Sequence, residues 1–296
     1  MKLHQLRDRL LLQEDLNFLL TNRIPRILLT HVMGWYSRIR SPWLTRISIR
    51  VWRLFTELDL DEARQQHFES LRDCFIRELK PGARPIDQTP EILASPCDAI
   101  VGAHGRLQDT LALQAKGMPY RLEELLGDQA LAREHADFRY ITLRLTSSMY
   151  HRFHAPHDMD VKRVTYISGD TWNVNPIALR RVQRLFCRNE RAVIEARLTD
   201  SGDRITLVPV AAVLVASIRL HFADVLLHLR YRGANPIPCS AHLSKGQEMG
   251  WFEHGSTIIL LVPGHFELAD HLDEGSTVRM GQPLMTRRTD TPLSQH

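Results

Sequence analysis

The chain has 296 residues, 44% hydrophobic and 24% charged. That balance excludes a disordered chain, a collagen-like fibre and a polytopic membrane protein. The net charge of +4 is unevenly placed: residues 1–56 hold ten Lys and Arg against Asp8, Glu14 and Asp15, so this segment carries +7 and the remainder −3. A segment of that kind seeks an anionic surface, either nucleic acid or lipid headgroups. Cys74, Cys97, Cys187 and Cys239 form no CxxC pair. They are too few and too scattered for a disulfide scaffold or a cysteine zinc ribbon, and they point to a reducing compartment.

Residues 1–80 read as helical. Trp43, Leu44, Ile47, Val51, Leu54 and Phe55 recur near helical spacing, with Arg46, Arg50 and Arg53 off that stripe. Pro25 and Pro42 punctuate the run, and Asp59 to Leu79 reads as a further helix ended by Lys80-Pro81-Gly82. Two readings stay open. One is a helical layer on a core with a solvated basic face. The other is a helix lying in a membrane interface, with Trp35, Trp43 and Trp52 at the boundary. Met1–Leu20 mixes acids and bases through its apolar positions, so neither a secretory signal nor a mitochondrial presequence is expected. The longest apolar stretch, Leu207 to Ile218, is interrupted by Pro209 and Ser217 and falls short of the ~20 residues of a spanning helix.

From about residue 92 the texture changes. The runs Ala99–Ala103, Arg139–Leu145, Val161–Ile167, Ala192–Leu198, Ile205–Ile218 and Ser256–Val262 read as strands, with helices only at Leu122–Glu134 and Pro176–Phe186. The expected fold is α+β: an N-terminal helical layer, then a largely antiparallel β core. The tail Thr286–His296 is polar and expected to fray.

There is no GxxxxGK[ST] loop, no GxGxxG after a strand, no GxSxG elbow and no HExxH. The densest histidine cluster is His151-Arg152-Phe153-His154-Ala155-Pro156-His157-Asp158. Imidazoles at i and i+3 could share a metal on a helix, but Pro156 cannot sit inside that helix. In an extended chain His151 and His154 point to opposite faces. The residues therefore favour hydrogen-bonded loop histidines or proton transfer over a metal site. Asp98 opens the apolar run Ala99-Ile100-Val101, where a carboxylate needs a partner. It is either a turn aspartate or an orienting carboxylate for a histidine.

Two Gly-Ser-Thr triplets occur. Gly275-Ser276-Thr277 belongs to a GxxVxxGQxL string ending at Leu284, which looks like the structural turn of lipoyl-type β folds. Gly255-Ser256-Thr257 starts an apolar strand and is the chemical candidate.

Seven ordered motifs then carry a resemblance. They are Phe75-Ile76-Arg77-Glu78-Leu79-Lys80-Pro81-Gly82-Ala83-Arg84-Pro85-Ile86-Asp87; Ser95-Pro96-Cys97-Asp98; Gln114-Ala115-Lys116-Gly117 with Tyr120 and Leu122-Glu123-Glu124-Leu125-Leu126-Gly127; Tyr150-His151-Arg152-Phe153-His154; Phe186-Cys187-Arg188-Asn189-Glu190-Arg191; Lys245-Gly246-Gln247-Glu248-Met249-Gly250; and Gly255-Ser256-Thr257. From about Ile27 to Leu284 the chain resembles the pyruvoyl-dependent phosphatidylserine decarboxylases of the bacterial and mitochondrial kind. It departs from their pattern at Ala99 (usually Gly), Met149 (usually an acid), Ala211, Ala216 and His254 (usually Leu), as a divergent member would.

The resemblance implies self-cleavage between Gly255 and Ser256, with Ser256 becoming an N-terminal pyruvoyl group, the covalent cofactor. It implies a relay of Asp98, His154 and Ser256, and decarboxylation of phosphatidylserine to phosphatidylethanolamine through a Schiff base with the pyruvoyl ketone. His151 is the candidate proton donor and Arg152 a candidate phosphate contact. No metal and no nucleic acid are implied. The expected organisation is a membrane-associating region, residues 1–80, and a catalytic core, residues 81–296, cleaved into 1–255 and 256–296. The two chains would form a heterodimer, with further dimerisation left open. The expected place is the cytoplasmic face of the membrane, peripherally bound to an anionic surface. Two rivals remain: a pyruvoyl decarboxylase of another amino-acid-bearing substrate, and a non-catalytic lipid-binding relative.

Overall fold

An eight-stranded sheet organises the molecule, and its order shows why the chemical triplet sits where it does. The computed structural model describes residues 25–213, 217–228, 231–253 and 256–288. In spatial order the strands are Ile237–Leu243, Met159–Ile167, Arg191–Leu198, Arg204–Ala211, Ser256–Val262, Arg139–Leu145, Ala99–Arg106 and Thr277–Val278. Every neighbouring pair is antiparallel, so the expected α+β fold with an antiparallel core is the one observed.

The strand Ser256–Val262 is buried along its whole length. That is why it reads as a continuous apolar run rather than an alternating one. Its side chains still alternate between faces. Ile258 and Leu260 join a core with Leu143, Phe153, Met249 and Phe252, built against the smaller sheets. Ile259 and Leu261 join a second core roofed by short helices. Ser256 shares the first face and Thr257 the second.

Three helices precede the sheets among the described residues: α1 (Arg26–Ser37), α2 (Pro42–Phe55) and α3 (Leu71–Phe75). The Ser41 hydroxyl accepts from the Leu44 amide and Pro42 fills the first helical turn of α2, a start signal legible in sequence. The expected helix over Asp59–Leu79 is not formed. The Asp61 amide donates to the Asp59 carboxylate at 2.8 Å, making a local turn that competes with helix. Only the one-turn α3, capped by Ser70, remains. Leu58, Leu60, Ala63, Phe68 and Cys74 nevertheless bury together, with Ile49 and Trp52 against them. The apolar spacing reflects this burial, which the chain achieves without a continuous helix.

The roofing helices are α4 (Leu122–Leu126), α5 (Gln129–Arg133), α6 (Pro176–Arg181) and α7 (Leu185–Arg188). The single helix expected over Leu122–Glu134 breaks in two because Gly127 adopts a left-handed cap at φ 68° and Asp128 caps the next turn. The helix expected over Pro176–Phe186 likewise splits, with Val182 extended. The strand expected over Ile205–Ile218 ends at Ala211, and Ser217–Leu220 pairs in a different, four-stranded sheet. Thr286 and Arg287, expected to fray, pair with the strand Ile92–Ala94 and the strand Phe266–Leu268. Ala99 and Ala211, at positions where the resembled family carries glycine, adopt no positive φ, so alanine fits without strain. His254, Gly255 and Ala216 lie outside the described residues, as do residues 1–24 of the basic segment.

Candidate active site

Ser256 is fully buried, paired across the sheet with Leu145 and with Ala211. Its hydroxyl has no hydrogen-bond partner among the described residues. A buried hydroxyl left unpaired costs roughly 1–3 kcal/mol, and such groups need a reason to persist. Ser276 of the second triplet differs. Its hydroxyl accepts from the Asp273 amide at 2.9 Å in a turn where Gly275 has φ 97°. One serine closes a turn; the other is held idle inside the sheet.

His154 ends the short strand Arg152–His154, which pairs with Glu248–Phe252. Its Nδ1 lies 2.9 Å from the Gly246 carbonyl and its Nε2 3.1 Å from the Tyr150 hydroxyl. A carbonyl can only accept, so Nδ1 carries the proton and Nε2 keeps its lone pair. Burial pushes the imidazole below its ordinary pKa, against the Gly246 hydrogen bond and the charge of Glu248. His154 is thus a neutral base with a defined tautomer. Gly246 has φ 79°, and a Cβ there would meet Ile86 Cδ1 at 2.1 Å. Only glycine lets that carbonyl reach the ring.

Asp98, expected to hold His154, is placed beside it but bonded elsewhere. Its carboxylate takes a bidentate pair from Arg84, at 2.8 and 2.6 Å, and the Met280 amide at 2.9 Å. Burial opposes the charge on Arg84, but the hydrogen bonds and charges of Asp98 and Glu62 carry its pKa upward. The segments of Asp98 and His154 meet through the His154 amide and the Pro96 carbonyl, 2.8 Å apart. Arg84 stands in the first quoted motif, yet spacing could not show which acid it would meet.

His151 is fully buried and separate in its contacts from His154. Its Nδ1 binds the Met149 carbonyl at 2.9 Å, and its ring lies against Phe75. Arg152 is engaged on all sides. It donates to both Glu248 oxygens at 2.9 and 3.0 Å and to the Ile76 carbonyl, and it lies over the Trp251 ring. A substrate phosphate would have to compete with Glu248 for it.

Glu253 was not singled out from sequence. It is buried three residues before Ser256 and paired with Arg72 of α3 and with Arg38 at the end of α1. Burial would raise its pKa, but the two guanidinium groups bring it below the usual carboxylate value. The only signal was an acid inside an apolar run. Among the described residues no cluster of His, Cys, Asp and Glu is arranged to hold a metal.

Among the described residues, eight of the ten exposed large hydrophobic side chains belong to α1 and α2: Leu28, Val32, Trp35, Trp43, Ile47, Val51, Leu54 and Phe55. Trp35 and Trp43 are 68% and 71% exposed. Trp52, expected at the same boundary, instead turns inward and stacks on Phe75 at 5.7 Å. No described helix is long and apolar enough to cross a membrane.

A family profile described as phosphatidylserine decarboxylase matches residues 71–286. The phosphatidylserine decarboxylase proenzyme of Haemophilus influenzae (strain Rd) is 36% identical over 278 residues, 90% of this chain and 94% of that protein. The proenzyme of Pasteurella multocida is 36% identical over 274 residues, covering 88% and 91%. That of Aliivibrio fischeri is 34% identical over 275 residues, covering 88% and 94%.

Proposed function

The chain belongs to the phosphatidylserine decarboxylase family, and on that premise we propose that it cuts itself at Ser256 and then decarboxylates phosphatidylserine at a membrane surface. The observation that carries this reading is Ser256: a buried hydroxyl without a partner among the described residues, opening a central strand.

In the proposed maturation Ser256 Oγ attacks the Gly255 carbonyl and the Gly255–Ser256 amide bond breaks as the ester forms. The Oγ proton passes to His154 Nε2 and from there to the departing amine. Tyr150, now 3.1 Å from that nitrogen, must give way to Ser256 for this transfer. Asp98 acts at one remove: its charge favours the imidazolium that forms, and its pairing with Arg84 fixes the loop that carries it. Elimination across Cα–Cβ of residue 256 releases the Gly255 carboxylate. Water then displaces the nitrogen as ammonia and leaves a pyruvoyl group.

The residues present fit that group, because residue 256 begins a strand sealed on both sides and the site holds a neutral base. Once formed, a pyruvoyl group supplies an electron sink for the decarboxylation of an α-amino carboxylate. The proton returned to the former α-carbon is assigned to His151 in its protonated form, with its ring oriented by the Nδ1 contact to the Met149 carbonyl.

The two cleaved chains would remain one body. The segment 256–296 contributes a central strand, and Thr277–Val278 and Pro283–Arg287 pair with Ala99–Arg106 and Ile92–Ala94. The exposed apolar side chains of α1 and α2, flanked by Arg46, Arg50 and Arg53, suit an anionic membrane interface. That face is what a lipid substrate requires and a soluble amino acid does not. The test is release of CO2 from carboxyl-labelled phosphatidylserine in vesicles, with free serine in parallel. The parent should release label from the lipid only, and Ser256→Ala from neither. Label from serine alone would favour a decarboxylase of soluble amino acids.

A further inference from the structure

On the helix-roofed side of the sheet lies a cavity whose walls are largely apolar, with Val101, Ala103 and Leu179 among them. It has a volume of about 340 Å³, and its lining includes Thr142, Arg144, Lys116, Gln114, Arg180 and Glu274. Arg144 is the cross-strand neighbour of Thr257. No residue given a role in the proposed maturation or decarboxylation lines this cavity.

Three arginines have their charge disfavoured mainly by burial: Arg77, Arg144 and Arg191. Two of them are compensated. Arg191 donates to the carbonyls of Glu124, Leu125, Cys187 and Asn189. Arg77 donates to those of Cys74, Ser148 and Met149. Among the described residues the Arg144 guanidinium makes no hydrogen bond or ion pair, and no acid offsets its burial. A half-buried guanidinium without protein acceptors has donors left over for a ligand. Beside it the hydroxyls of Thr142 and Thr257, 2% and 0% exposed, also lack partners among the described residues. Gln114 is a structural wall, saturated by Leu179, Val182 and Leu185. Lys116 is exposed at the mouth and unpaired among the described residues. Arg180 and Glu274 complete the charged part of the lining.

We infer that this cavity is a site for a phosphate group. The planar fork of Arg144 matches two phosphate oxygens. Thr142 supplies a hydroxyl donor from the wall, and Lys116 adds charge at the entrance. The phosphate would come either from a phospholipid headgroup or from free inorganic phosphate. The headgroup source rests on the decarboxylase reading; the free-phosphate source does not.

The test is calorimetric titration of inorganic phosphate into the full-length Ser256→Ala chain, so that binding is read without any activity. Saturable binding is expected, weakened about tenfold or more by Arg144→Gln and by a smaller factor in Lys116→Gln. Lys116→Gln changes an exposed side chain, so it keeps the test sound if Arg144→Gln fails to fold. Glycerophosphoserine is then added to the phosphate-loaded protein. Displacement of phosphate identifies the headgroup as the ligand, and retention identifies free phosphate. No saturable binding below about 10 mM phosphate, or binding unchanged in both variants, overturns the proposal.

Discussion

The Phe75 ring lies 4.0 Å, centroid to centroid, from the His151 imidazole. Phe75 also stacks on Trp52 of α2 at 5.7 Å, so the helix with the exposed apolar face touches the candidate proton donor through one ring. His154 has no part in this stack; its neighbours are Tyr150 and Gly246. The two histidines should therefore fail differently. His154→Ala should leave an uncut chain, because loss of a general base costs ~10²–10⁴-fold. His151→Ala should cut normally and turn over slowly. Phe75→Leu should also cut normally but lower kcat, by loosening His151. A gel for cleavage and CO2 release for turnover separate these outcomes, and the reverse pattern would swap the roles.

The pH dependence of cleavage follows from His154. Burial holds its pKa below 6.5, so the neutral base persists as the solution is acidified. The single-turnover rate should stay level through pH 6.5 and fall only below it. The linked stability has the same sign: the unfolded chain protonates this histidine first, so the stability is full above pH 6.5 and lost as pH drops through that value toward the folded pKa. Rates from pH 5 to 8, measured on refolded proenzyme, check this. An acid limb centred above 6.5 would contradict it.

Membrane attachment should depend on α1 and α2. Replacing Trp35, Trp43 and Phe55 together by serine removes side chains that are 68%, 71% and 63% exposed, so folding should be little affected. Sedimentation with anionic vesicles should fall at least tenfold, since each large apolar side chain contributes about 1.5–3 kcal/mol on burial. High salt should weaken the remainder by screening the arginines. Unchanged sedimentation would move the interface elsewhere.

The cleaved chains should separate only on unfolding. Ile258, Ile259, Leu260, Leu261 and Val262 are all fully buried, the first four between two partner strands, each contributing about 1.5–3 kcal/mol. Native size-exclusion chromatography should show one species and a denaturing gel two. Dissociation of the small chain in native buffer would contradict this.

Much of this was legible in the residues. The antiparallel core followed from short β-rich runs with few helical interruptions, and the serine strand from Ile258-Ile259-Leu260-Leu261-Val262. The two triplets were told apart by their flanks, and their hydroxyls prove to be in opposite states, Ser276 bonded and Ser256 not. What was not legible was long-range pairing. Arg84 lies 14 residues from Asp98, and Gly246 lies 92 from His154; no periodicity reports such contacts. The failure over Asp59–Leu79 has a local cause, since an Asx turn can satisfy the backbone where apolar spacing alone suggests helix.

The central claim is that Ser256 is the residue at which the chain opens. Intact mass spectrometry of purified, denatured protein tests it most directly. Two chains should be found, residues 1–255 and 256–296, the shorter with a blocked amino end whose mass fits pyruvoyl in place of serine. Ser276→Ala should give the same two chains and Ser256→Ala a single one. An uncut parent chain with an unmodified serine at 256 would contradict the account.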